Sequence, residues 1–408
     1  LLKLLCCAAA LLSGLVLQNF LIFNKQHPKA MSIYLDNAAT TPLDAEVFNA
    51  MTPYLLNHYG NPSSHHAQGR QARQAIEQCR ATISGLLNAL PEEIVFTSGG
   101  TEADNTAILT AVHGYRIQHV ITIRFEHHAV LHTLTDLQRK GLIKISFIKH
   151  DAKGNLNLQH LEQLLQTNPR SLVSVMHANN EIGNLNDINQ IGEICEQYDA
   201  LFHTDTVQTI GHYRHDLQKL KVHFLAASAH KFHGPKGVGF IFCRKGIQLL
   251  QLIHGGGQES RLRAGTENIH GIVGLTKALE IAYKHIDEHR QQIQHIKNYM
   301  IARLTDEVPG VTFNGNSANA HQSLYTVLNV GLPVLGYGRN LLRCLDEADI
   351  AVSGGSACST GSASHVLQAI AAADDKDHIR FSFSKFNTRQ EVDRVLEALH
   401  QIYQSLAA

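Results

Sequence analysis

From about Glu46 to Glu280, short apolar runs alternate with longer polar, amphipathic stretches. The runs are EIVFT (93–97), HVITI (119–123), IKISFI (143–148), LVSVMH (172–177), ALFHTD (200–205), HFLAAS (223–228) and GVGFIF (237–242). Segments such as TEADNTAILTAVHG and INQIGEICEQYDA lie between them with helical spacing of their apolar residues. Repeated strand–helix alternation demands crossover connections, so the expected class is α/β with a mainly parallel seven-stranded sheet flanked by helices. In such sheets ligands collect at the carboxyl ends of the strands.

Charge and cysteine content narrow the function. Lys plus Arg and Asp plus Glu balance at 35 each, so nothing in the net charge calls for nucleic acid or an anionic membrane. A small-molecule substrate is expected. The 27 histidines include the pairs His65-His66 and His127-His128, which lack the HExxH or cysteine-rich spacing of a zinc site, and no metal is expected. Seven scattered cysteines without a CxxC pair suit a reduced, cytoplasmic enzyme with room for one functional thiol. Residues 1–30 are apolar and nearly uncharged, and Met31 directly precedes the first globular-looking strand, SIYLDNAATTP. A signal peptide and a membrane anchor compete with the reading adopted, upstream sequence included in error, on which the cytoplasmic location depends.

Three strand ends carry the chemistry. EIVFT runs into SGGTEADN, where Gly100 and Thr101 open a helix whose backbone N–H groups and positive end suit a phosphate. Taken alone, Thr101 as a helix cap explains the same residues. ALFHTD delivers Asp205, an acid that needs a cationic partner if buried. HFLAAS delivers Ser228, His230 and Lys231 in SAHKFHGPKG. One ligand uses all of these: pyridoxal 5'-phosphate, which takes a lysine as Schiff base, a carboxylate at its ring nitrogen, and N–H and hydroxyl donors at its phosphate.

With these motifs in order, YLDNAATTP, GNPSSHHAQG, IVFTSGGTEADN, EHHAV, MHANNEIG, HTDTVQ, SAHKFHGPKG, HGGGQESRLRAGTEN, SGGSACSTGS and IRFSFSKF, the chain from Tyr34 to Phe386 resembles the NifS/IscS-like cysteine desulfurases. These belong to the class V aminotransferase group of fold-type I pyridoxal phosphate enzymes. The resemblance implies a large cofactor domain over 46–280, and a smaller α+β domain from 32–45 and 281–408 that carries the catalytic cysteine loop. It implies Lys231 as the Schiff-base lysine, Asp205 at the ring nitrogen, and His127 stacked on the ring and moving protons. Gly100, Thr101, Ser228 and His230 would hold the phosphate; Gln208 and Asn180 would address the ring oxygen and nearby substrate atoms. Thr266 would reach the phosphate of a neighbouring subunit, making the site a property of a homodimer. Arg380 would clamp the substrate carboxylate, with Asn37 beside it, as a guanidinium fork matches a carboxylate.

The implied reaction converts L-cysteine to L-alanine and leaves the sulfur on Cys358 as a persulfide. From there it would pass to an acceptor protein for iron–sulfur cluster, thio-cofactor or tRNA synthesis. VSGGSACSTGSASH surrounds Cys358 with small residues, unlike the bulky setting of a structural cysteine. The stretch from Cys358 into the next helix is a few residues shorter than in long-loop members, which bears on its reach to an acceptor. A selenocysteine lyase or another class V enzyme would keep Lys231 and Asp205, though an aminotransferase has no use for Cys358. A non-catalytic regulatory homologue is the remote alternative.

Overall fold

Each of the seven apolar runs forms one strand of a single sheet. The computed structural model describes residues 32–335, 340–354 and 364–407. The extension 1–30 and Cys358 lie outside the described residues. In chain order the strands are β1 (Ile33–Tyr34), β2 (Ile94–Thr97), β3 (His119–Thr122), β4 (Lys144–Phe147), β5 (Leu172–Ser174), β6 (Leu201–Asp205), β7 (Phe224–Ser228), β8 (Gly239–Cys243), β9 (Thr312–Phe313), β10 (Val327–Pro333), β11 (Ile350–Ala351) and β12 (Lys376–Ser382). The helices are α1 (Ala45–Leu56), α2 (Ala67–Leu86), α3 (Gly100–Leu109), α4 (His128–Arg139), α5 (Leu158–Thr167), α6 (Ile188–Gln197), α7 (Ile269–Lys284), α8 (Ile286–Glu307), α9 (Leu341–Glu347), α10 (His365–Ala369) and α11 (Arg389–Ala407).

The large sheet has the order β2-β8-β7-β6-β5-β3-β4. Strands β3 to β7 pair in parallel, whereas β8 is antiparallel to both β2 and β7. The segment 229–238 between β7 and β8 is too short for a crossover, so the chain folds straight back. Because β8 is antiparallel to both neighbours, β2 runs with β7. Six strands therefore point one way, and Thr97, Asp205 and Ser228 end on the same edge. Strands β2, β5, β7 and β8 are buried throughout, as expected where helices cover both faces, while edge strand β4 is more exposed.

Around this sheet one core runs from Val47 to Tyr283 and includes Val366, Leu367 and Ile370 of α10 and its end. A second core joins Ile33 and Leu35 to residues 293–399. It packs the antiparallel sheet β12-β10-β9 and the parallel pair β1-β11 against α8 and α11. On α8, Ile293, Ile296, Met300 and Leu304 recur at helical spacing and form its buried stripe. Lys297 shares that stripe and is fully buried, donating to Ser323 Oγ and Leu324 O, both at 2.9 Å.

Candidate active site

The common edge of the six strands opens into a cavity of about 190 Å³. Gly100, Thr101, His127, Asn180, Asp205, Gln208, Ser228, His230, Lys231 and Arg380 all line it, together with Ala38, Ala39, Asp104, Met176 and Val207. Residues from 38 to 380 thus meet because strand ends and the second core converge on one edge.

Strand β2 turns into α3 through Gly99, whose φ of +153° suits glycine alone. Gly99 is also the N-cap of α3, and no side chain caps that end. The competing reading of Thr101 as a cap therefore falls: Thr101 sits within the first turn, exposed. A methyl group on Gly100 would stand 2.4 Å from Val207 Cγ2, and one on Gly99 would stand 3.4 Å from Ser228 Oγ. The two glycines keep a cradle open in front of uncapped N–H groups, the arrangement a phosphate needs.

Asp205, at the end of β6, accepts a hydrogen bond from Val207 N at 2.8 Å. Burial, with the neighbouring Asp104 carboxylate adding to it, pushes its pKa up to about 7. Asp104 is itself buried, 3.2 Å from His203 Nε2, and burial holds its carboxyl well above the usual range. Two buried acids beside one cavity favour a cationic guest such as a protonated ring nitrogen. Asp104, His127 and Asp205 each offer a ligand atom within 4.8 Å of the others. The same convergence of two acids and an imidazole would suit a cationic aromatic ring.

His127 caps α4, with Nδ1 accepting from Ala129 N at 3.1 Å. A nitrogen that accepts carries no proton, so the neutral ring keeps its proton on Nε2. Burial first, then the charge of Lys231, lowers its pKa to about 4. Lys231 ends the short turn after β7, and its ammonium donates to Ala38 O at 2.6 Å and Ala39 O at 2.8 Å. Gln208 Nε2 donates to the same Ala38 O at 3.0 Å. His230 Nδ1 lies 3.1 Å from Thr40 Oγ1, and burial takes its pKa down to about 4.

Arg380, on β12, is almost wholly buried. Its Nη2 pairs with Asp36 Oδ1 at 2.7 Å and its Nη1 donates to Asn180 O at 2.9 Å, while Nε has no partner among the described residues. Asn37 lies outside the lining: its amide donates to Ser382 O at 2.8 Å, tying the segment after β1 to β12. Thr266 is exposed and also lies outside this cavity. The sequence reading missed Asp104, Asp36 and the two alanine carbonyls. Asp104 and Asp36 stood inside quoted motifs, yet only the fold shows what they face.

These residues fit pyridoxal 5'-phosphate: a glycine cradle at a helix end, a buried acid pair, an imidazole and a lysine meet in one cavity. The aminotransferase class-V family matches residues 33–395. The cysteine desulfurase IscS of Dictyoglomus turgidum is 40% identical over 380 residues, covering 92% of this chain and 95% of that protein. A solved NifS-like protein superposes with a TM-score of 0.84 at 36% identity, covering 92% of this chain and all of the other. SspA, solved in complex with cysteine, gives a TM-score of 0.75 at 31% identity, covering 88% of this chain and all of SspA.

Proposed function

Because this chain belongs to the class-V aminotransferase family and, within it, to the cysteine desulfurases, we propose that it moves the sulfur of L-cysteine onto Cys358 and releases L-alanine. The observation that carries the reading is the meeting of Lys231, Asp205, His127 and Arg380 on one cavity. When bound, pyridoxal 5'-phosphate supplies an aldehyde that condenses with amines and a ring that draws electrons from the substrate α-carbon.

Lys231 would be the amine that holds the cofactor's aldehyde, and its ammonium is held at the cavity by the Ala38 and Ala39 carbonyls. Asp205, its pKa raised by burial and Asp104, would pair with the protonated ring nitrogen of the bound cofactor. His127, neutral at physiological pH with its proton on Nε2, would pack against the bound cofactor and hold or move a proton beside the substrate. Arg380 binds the substrate carboxylate, its fork oriented by Asp36 and the Asn180 carbonyl.

The reaction balances as L-cysteine plus the Cys358 thiol giving L-alanine plus the Cys358 persulfide. The substrate S–Cβ bond breaks, a sulfur–sulfur bond forms, and the thiol proton is balanced by the new C–H. The described residues on either side of Cys358 are fastened beside the cavity. Ser353 forms a backbone bridge with Arg380, and Ser364 Oγ donates to Glu181 Oε2 at 2.5 Å, one residue from Asn180. These anchors support Cys358 as the attacking thiol.

Thr266, exposed and outside its own cavity, suits a homodimer in which it reaches the phosphate site of a neighbouring subunit. The sulfur then leaves Cys358 for an acceptor protein in iron–sulfur cluster, thio-cofactor or tRNA synthesis. A cytoplasmic location accords with Cys79, Cys195, Cys243 and Cys344, which are free thiols among the described residues.

A single turnover tests the proposal. The protein, loaded with cofactor and freed of reductant, receives L-cysteine; alanine is quantified and persulfide located by peptide mass analysis. Alanine should form in step with a persulfide on Cys358, and both should vanish in Cys358→Ser and Lys231→Ala. Alanine without persulfide at Cys358 would refute the sulfur-relay step.

A further inference from the structure

A group of imidazoles lies outside the cofactor cavity, where the first turn of α4 meets the start of α10. His365 Nδ1 stands 3.2 Å from His128 Nε2, with ring centroids 4.7 Å apart. His132, one turn further along α4, stacks on His128 at 4.6 Å with the ring planes 9° apart. No step of the proposed reaction uses these three rings.

The proton positions follow from the neighbours. His365 Nε2 is 3.0 Å from the carbonyl oxygen of Glu126, which can only accept, so Nε2 carries the proton. In the neutral ring Nδ1 is then a lone pair that accepts the proton of His128 Nε2, the proton an incoming cation would displace. Two imidazole nitrogens 3.2 Å apart have the spacing of adjacent ligands on a tetrahedral ion: at a metal–nitrogen distance of about 2.0–2.1 Å their separation is roughly 3.3 Å. A carbonyl behind the far nitrogen is the outer partner that commonly orients a metal-bound histidine. His128 and His132 stand four residues apart, the spacing that lets two histidines on one helix face share an ion. His132 is exposed and stacked on His128, and rotating its side chain would turn a nitrogen toward the pair.

We propose that His128, His132 and His365 form a binding site for a divalent cation of the Zn²⁺ type, bridging α4 to α10. The ion ties the helix that begins beside His127 to the helix that follows the cysteine segment. Water completes the coordination, since the outer side of His132 is open.

The test uses the full, cofactor-loaded chain carrying Cys358→Ser, so that the cysteine-segment thiol cannot contribute and the cavity acids are engaged. Substrate cysteine, itself a zinc ligand, is omitted. Zn²⁺ is titrated calorimetrically near neutral pH, and the bound ion is examined by X-ray absorption. The proposal predicts one ion per chain with a nitrogen and oxygen shell at about 2.0–2.1 Å. His365→Asn and His132→Ala should each weaken binding at least about tenfold, while leaving the visible spectrum of the bound cofactor unchanged. Because His132 is exposed, its variant tests the site even if His365→Asn perturbs the fold. Absence of binding, equal affinity in the variants, or a sulfur shell at about 2.3 Å would each overturn the proposal.

Discussion

Replacing Arg80 with methionine should loosen the start of β2 by about 3–5 kcal/mol, the cost of removing one partner from a buried ion pair. Arg80 and Glu259 meet through two parallel bonds, Nη2 to Oε1 at 2.7 Å and Nη1 to Oε2 at 2.9 Å, with side-chain exposures of 10% and 3%. Nη1 also donates to Ile94 O at 2.6 Å, and Glu259 Oε2 accepts from Phe96 N at 2.8 Å, so the pair is built into the first residues of β2. Glu259 opens an unusual turn: Glu259, Ser260 and Arg261 have φ of 46°, 54° and 67°, three consecutive left-handed residues without a glycine. Each carries a steric penalty of roughly 1–2 kcal/mol, which the ion pair must hold in place. Hydrogen exchange of the cofactor-loaded protein measures the effect locally. A loss of 3–5 kcal/mol corresponds to exchange at Phe96 faster by about two to four orders of magnitude. Ser260→Gly, which relieves one left-handed residue, should slow exchange in the wild-type background. Acceleration of less than about tenfold in Arg80→Met would refute the reasoning, because the turn would then be held by other contacts.

Three further outcomes are expected. Gly100→Ala should weaken cofactor binding about tenfold or more, since its methyl would lie 2.4 Å from Val207 Cγ2 and overpacking costs about 1–3 kcal/mol; an unchanged dissociation constant by equilibrium dialysis would argue against the glycine cradle. Arg380→Lys should raise KM for L-cysteine by roughly one to two orders of magnitude, as the fork facing the carboxylate is lost; steady-state kinetics with an unaltered KM would remove Arg380 from substrate binding. Burial lowers the Lys297 pKa to about 7 from 10.5, so between these values the unfolded chain binds more protons than the folded one. Its contribution makes stability rise with pH across that window by up to about 1.4 kcal/mol per unit, and Lys297→Met should remove that slope. Parallel pH–stability curves for the two proteins would show that Lys297 does not titrate this way.

Strand identity was legible in the sequence because burial on both faces leaves a local mark, a short apolar run between amphipathic segments. Each run became a strand, and residues at or just past the carboxyl ends of three of them, Gly100, Asp205 and Lys231, reached one cavity because near-parallel strands end on one edge. The return of β8 between β2 and β7 was not written in its own composition, which resembles that of the parallel strands; the shortness of 229–238 forced it.

The partners that tune the site depended wholly on the tertiary structure. Arg380 meets Asp36, Arg80 meets Glu259, His365 meets His128, and Glu181 meets Ser364, each across a long stretch of chain. Asp104 became a site residue only when α3 was laid against β6, bringing its carboxyl beside that of Asp205. The division has a physical cause. Periodicity and strand-end chemistry are properties of neighbouring residues, whereas the charge a buried group carries depends on which distant groups the fold brings within a few ångströms of it.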